Sequence, residues 1–153
     1  MQLPEGLDDL YAEIILDHYR RPRNRGLLSE PDLQAEGYNP FCGDQVKLTA
    51  DLDATGHVHR VGFEGQGCSI SQASASMLTD IVKGKSLDDA LALVGVFKGV
   101  MQGTPLTDAH AQAMGELAAL EGVRQFPVRV KCALLAWTTL QDAIAQYRKQ
   151  HGR

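Results

Sequence analysis

From Val46 to Phe63 the chain reads as a β-hairpin. Val46, Leu48, Ala50 and Leu52 alternate with polar neighbours, Asp53 to Gly56 supplies a turn, and His57 to Phe63 is a second strand-like run. After the break at Gly65-Gln66-Gly67-Cys68 the two-residue period gives way to a helical one. Ile70, Ala73, Met77, Leu78 and Ile81 recur at helical spacing before Gly84. A hairpin followed by helices makes the fold class α+β.

Four further helices are expected. Leu7, Leu10, Tyr11, Ile14, Ile15 and His18 mark one at about 7–20, ended by Pro22. Ser86 with Asp89 resembles a capping box opening the next, and Thr107 precedes an Ala-rich segment ending near Gly122. After Pro127 an apolar face from Cys132 to Tyr147 predicts a long final helix. The stretch from Arg20 to Pro40 has no period and reads as a long connecting loop, of a length that is often functional. No repeat or low-complexity segment interrupts the 153 residues, which are read as a single domain over 1–153.

Bulk properties remove several classes of function. With 44% hydrophobic and 22% charged residues the chain is an ordinary globular one. Fifteen basic against nineteen acidic residues give a formal charge of −4 with no long basic run, which argues against nucleic acid as a partner. No apolar stretch is long enough for a bilayer and no basic-then-apolar leader opens the chain, so no membrane and a cytoplasmic location are expected. Three cysteines cannot all pair with one another. In a reducing compartment thiol or metal chemistry is the better reading.

The cysteines lie where thiolates form easily. In Asn39-Pro40-Phe41-Cys42-Gly43-Asp44 a thiol and a carboxylate stand two residues apart, with Pro40 stiffening one side and Gly43 permitting an unusual turn. Cys68 sits between a glycine-rich break and a helix start, where free N–H groups and the helix dipole favour an anion. Cys132 follows Arg129 and Lys131 near the start of the last helix, with the same two advantages. A free cysteine also packs as a small hydrophobe, which remains the competing account of each one taken alone. There is no Cys-x-x-Cys knuckle, so only the fold can gather these residues. If gathered, three sulfurs and the Asp44 carboxylate form a tetrahedral set suited to zinc or to iron in a sulfide cluster. Four negative charges around Zn²⁺ leave the site at minus two, which Arg129 and Lys131 can partly offset.

At these residues the sequence resembles the IscU/SufU family of iron–sulfur cluster assembly proteins. The matching segments are Asn39 to Asp44 (NPFCGD), Gly65 to Met77 (GQGCSISQASASM), Phe126 to Trp137 (FPVRVKCALLAW), and Tyr11 to Pro22 (YAEIILDHYRRP) with Arg23-Asn24. Two positions depart from the scaffold branch. Lys131 stands where that branch has a histidine, and a protonated amine is no ligand. Gln125-Phe126-Pro127-Val128-Arg129 replaces its Leu-Pro-Pro-Val-Lys chaperone-binding stretch. The additional helical segment at about 86–120 is similar to the insertion of the SufU branch.

The SufU resemblance implies a small antiparallel sheet, the hairpin plus a third strand, packed against about five helices. It implies a zinc-dependent sulfurtransferase that accepts persulfide sulfur from a SufS-type, pyridoxal-phosphate cysteine desulfurase and relays it to downstream iron–sulfur assembly proteins. The rival is a scaffold holding a [2Fe–2S] cluster. By the same resemblance Cys42, Asp44, Cys68 and Cys132 are the zinc ligands and Cys42 is the acceptor. Cys42 also lies in a Gly/Pro-bounded loop that can move, whereas Cys68 and Cys132 are tied to helix starts. Docking on the desulfurase is expected to supply a substitute ligand that releases Cys42. Arg129 is the candidate for steering the partner or stabilising the persulfide anion.

Other residues carry weaker expectations. His57 and His59 form a His-x-His pair on one strand face, more simply solvated than ligating. His18, on the apolar side of the first helix, is expected half-buried. The Ser/Ala run Ser69 to Ser76 reads as close helix packing, with Ser69 or Ser71 able to bond a thiolate. Tyr11, Tyr19 and Arg20 to Arg25 are a candidate docking edge.

Overall fold

A computed structural model of the protein describes residues 9–152. Strands β1 (Leu33–Asn39), β2 (Asp44–Leu52) and β3 (Val58–Gln66) form one antiparallel sheet in that order. Around it stand helices α1 (Asp9–Arg20), α2 (Ser69–Ile81), α3 (Leu87–Met101), α4 (Asp108–Met114) and α5 (Pro127–Gln150), with a 3-10 helix at Gly115–Gln125. The expected α+β class and five α-helices are therefore present among the described residues. Leu7 and Asp8 of the predicted first helix lie outside them.

The alternating run is the β2–β3 hairpin, with Leu48 opposite Phe63 and Ala50 opposite Val61. These four side chains are buried, and α5 lies across β1 and β2 while α2 lies against β3, α1 and α5. A period of two buries one face of a sheet, and two helices cover that face here. Phe97 of α3 meets Trp137 of α5 with ring centroids 5.5 Å apart, tying the α3 layer to the same core.

Leu33–Asn39 corrects the reading of Arg20 to Pro40 as a connecting loop. Its residues pair with β2 from Leu33 opposite Ala50 to Asn39 opposite Asp44, supplying the third strand that the family resemblance implied. Only Leu33 and Ala35 alternate before Gly37 ends the apolar signal, too short a run to read as a strand. The preceding segment is also anchored. Gly26 N–H donates to Phe63 O (2.8 Å), Phe63 N–H to Asn24 O (3.2 Å), and Thr79 Oγ1 to Arg23 O (3.2 Å).

The helix starts were legible, and one helix end was not. Ser86 Oγ accepts from Asp89 N–H (3.0 Å) and Thr107 Oγ1 from His110 N–H (3.1 Å), the expected caps. The helix expected to run from Thr107 to about Gly122 instead tightens after Met114 into the 3-10 helix. Met114, Leu117, Leu120 and Val123 are all fully buried. Their spacing of three fits three residues per turn, so tightening keeps all four on one face.

Several polar groups inside this region are matched, although Gln72 Oε1 of α2 is buried without a partner among the described residues. His18 is 1% exposed rather than half-buried, with Nδ1 2.8 Å from Ser76 Oγ and Nε2 3.1 Å from Glu116 Oε1. Trp137 Nε1–H donates to Ser74 Oγ (3.1 Å), which donates to Ala133 O (2.6 Å). The serine run of α2 thus packs closely, as expected, and bonds its neighbours as well.

Candidate metal centre

Three parts of the chain meet at one end of the sheet. Asn39 and Asp44 face each other across the last rung of β1 and β2, so Pro40 to Gly43 must reverse the chain in four residues. Gly43 does this with φ +69°, a conformation open to glycine at little steric cost. Cys42 rises half-buried from that turn, and Asp44 follows it as the fully buried first residue of β2. Cys68 is the N-cap residue of α2 and is half-buried, while Cys132 lies in the second turn of α5 with no exposure.

Cys42, Asp44 and Cys132 each place one ligand atom so that all three lie within 4.8 Å of one another. The Sγ atoms of Cys42 and Cys132 are 3.0 Å apart. Cys68 joins through two contacts. Its N–H donates to Asp44 Oδ1 (3.0 Å), and its sulfur shares a hydrogen bond with the Cys132 thiol. Asn39 Nδ2–H reaches Cys132 Sγ at 3.8 Å, a role that its place at the head of the turn did not reveal in sequence.

Asp44 supplies the test of whether this set fits a cation. Its Oδ1 is satisfied, but Oδ2 is buried with no hydrogen-bond partner among the described residues. Burying a carboxylate oxygen unpaired costs about 1–3 kcal/mol or more. A cation held between that oxygen and the sulfurs removes the penalty, so the donor set fits a tetrahedral soft metal such as zinc. Gly67 keeps the space open. At φ +152° it has no side chain, and a Cβ there would run into Asp44 Oδ1 and come within 2.8 Å of Ser71 Oγ.

The thiols are not electrostatically alike. The bond from the Cys132 thiol, against the pull of burial and helped by the Ser71 N–H, brings Cys68 down from an ordinary 9.0 to about 6. Cys132 goes up, because the anionic Cys68 holds its proton and burial, Cys42 and Asp44 add to the effect. The expected thiolate-favouring environment is therefore present at Cys68 and opposed at Cys132. A helix start cannot outweigh several anionic neighbours in a buried place.

The remaining candidates divide. Arg129 is half-buried beside the sulfurs. Burial opposes its charge, but the Cys68 and Cys132 sulfurs more than offset this and hold its guanidinium firmly protonated. Lys131 is exposed and places its ammonium 4.0 Å from the centroid of the Phe41 ring. Ser71 Oγ bonds Cys68 O (3.1 Å) rather than a thiolate. His57 precedes β3, with Nδ1 2.9 Å from Thr55 Oγ1, and His59 is exposed on β3; among the described residues neither belongs to a group of side chains close enough to share a metal ion. In the expected docking edge Arg21 and Arg23 are taken up by Asp17. Among the described residues no helix is long and apolar enough to cross a membrane.

Comparison with known proteins matches this arrangement. The model of the NifU-like N-terminal domain matches residues 10–133. The zinc-dependent sulfurtransferase SufU of Bacillus subtilis (strain 168) is 43% identical over 146 residues, covering 95% of this chain and 97% of that one. The iron–sulfur cluster assembly scaffold protein IscU of Streptococcus pyogenes serotype M1 is 41% identical over 138 residues, covering 90% of this chain and 84% of its own. A solved structure from Fervidobacterium islandicum AW-1, described as a candidate iron–sulfur cluster assembly scaffold protein for the SUF system, superposes with a TM-score of 0.80. It is 32% identical and covers 86% of this chain and 94% of that one. This chain belongs to the NifU-like N-terminal domain family, alongside the SufU and IscU proteins it resembles.

Proposed function

We propose that this protein serves iron–sulfur cluster assembly as a zinc-dependent sulfurtransferase. In this reading it takes persulfide sulfur from a SufS-type, pyridoxal-phosphate cysteine desulfurase and passes it to downstream assembly proteins. The observation that carries the reading is the buried, unpartnered Asp44 Oδ2 set among cysteine sulfurs. Similarity to a zinc-dependent sulfurtransferase supports the choice of metal and chemistry. Three free cysteines suit the reducing cytoplasm, where we place the protein.

Cys42, Asp44, Cys68 and Cys132 would hold the zinc. When bound, the ion would keep the thiols deprotonated and cancel part of their charge. Cys42 is the acceptor, because it alone of the three rises from a turn, whereas Cys68 caps α2 and Cys132 lies within α5. Its thiolate attacks the outer sulfur of the donor's persulfide. The donor's sulfur–sulfur bond breaks, a new one forms on Cys42, and the donor leaves as a thiolate. Arg129, beside Cys68 and Cys132, offsets the negative charge left in the site.

The test begins with zinc, iron and sulfide analysis of anaerobically purified protein. Mixing with a cysteine desulfurase and cysteine, followed by mass spectrometry, then locates the persulfide. About one zinc and a persulfide on Cys42 are expected, with acceptance lost in Cys42→Ala. Iron and sulfide in place of zinc would support the scaffold reading that the IscU relatives suggest.

A further inference from the structure

Lys131 is adjacent to Cys132 in sequence, yet its contact lies outside the sulfur set, over the Phe41 ring. Phe41 precedes Cys42 and is 73% exposed, an apolar ring held at the surface. Its N–H donates to Asn39 Oδ1 (3.2 Å), and Asn39 Nδ2–H in turn reaches Cys132 Sγ. The turn carrying Cys42 is thus tied to α5 twice, by Asn39 at its base and by the Lys131–Phe41 contact at its tip.

We infer that Lys131 is a positioning residue whose contact with Phe41 latches the Pro40 to Gly43 turn and keeps Cys42 within the ligand group. This rests on the reading of Cys42 as the ligand that leaves to accept sulfur. Loss of either side of the contact frees the turn, and Cys42 swings outward more often. An exposed cation–π contact can hold such an equilibrium by about two- to fivefold, a size suited to a latch that a docking partner must open. Lys131 is therefore more than a missing ligand at its position.

The test labels the full-length protein with iodoacetamide, an uncharged thiol reagent, in zinc-loaded and metal-stripped form. Modification of Cys42 is followed by mass spectrometry in the wild type, Lys131→Gln, Phe41→Leu, the double variant and Lys131→Arg. Each of Lys131→Gln and Phe41→Leu should speed labelling about two- to fivefold, with the double variant no faster than either. Lys131→Arg should label at the wild-type rate, because a guanidinium also stacks on an aromatic face. Unchanged or slower labelling in Lys131→Gln overturns the latch, slower being the result of simply removing a cation near a thiolate. A Lys131→Gln effect that persists undiminished in the Phe41→Leu background also overturns it. If the protein binds no zinc, the zinc reading fails, and the metal-stripped labelling still decides the latch.

Discussion

Two buried polar regions of this protein differ in one respect. Around α2, the groups His18, Ser76, Ser74 and Trp137 are matched, donor to acceptor, at 2.6–3.1 Å. At the end of the sheet, Asp44 is as deeply buried but leaves Oδ2 unpartnered, and Cys132 is held protonated by the anionic Cys68 beside it, with burial, Cys42 and Asp44 adding to the effect. A matched interior network lowers the energy of the fold by itself. A set of donors with nothing to bind raises it, and natural folds retain such sets where a ligand completes them. The first region holds the protein together; the second is held by it.

That contrast can be broken by experiment. The largest effect is expected from Trp137→Ala, which empties the centre of the α3–α5 contact and should cost about 3–5 kcal/mol in urea unfolding. Zinc content of the folded fraction should stay unchanged; a parallel loss would show that the two regions are coupled. Ser76→Ala removes the partner of both His18 Nδ1 and Arg23 N–H. It should cost about 1–3 kcal/mol, read as a lower denaturation midpoint with persulfide acceptance intact.

Asp44→Asn should act with the opposite sign. The amide keeps an acceptor for the Cys68 N–H and removes a buried charge, so metal-free protein should gain about 1 kcal/mol while zinc retention falls. Equal loss of stability and zinc would mean that Asp44 belongs to the matched region. Smallest is Asp17→Asn. Bonds from Arg23 first and Arg21 second hold Asp17 down from 3.8 to about 2, so the carboxylate is charged in the fold at pH values where it protonates when unfolded. Its contribution is complete above 3.8 and is lost as pH falls through about 2. The melting temperature of Asp17→Asn should therefore lie slightly below wild type at pH 7 and meet it near pH 2.

The elements most readable in the sequence were those whose signal is local. The hairpin followed from a period of two at Val46 to Leu52, and the starts of α3 and α4 followed from the Ser86 and Thr107 caps. Strand β1 escaped because Gly37 erased its apolar alternation, and its pairing energy comes from β2 rather than from its own residues. The 3-10 helix was written in the spacing of Met114, Leu117, Leu120 and Val123 but looked like a continued α-helix.

At the candidate centre the division is the same. Sequence by itself determined which atoms were offered: the Cys42–Gly43–Asp44 turn and thiols at Cys68 and Cys132 beside helix starts. It also placed Arg129 three residues before Cys132, one turn away on the same face. Tertiary structure alone decided that the ligand atoms of Cys42, Asp44 and Cys132 converge, that Asp44 Oδ2 has no partner among the described residues, and that Lys131 rests on Phe41. Those facts depend on groups 24 to 90 residues apart. No local pattern encodes such distances, because they are set by how α2 and α5 pack on the sheet.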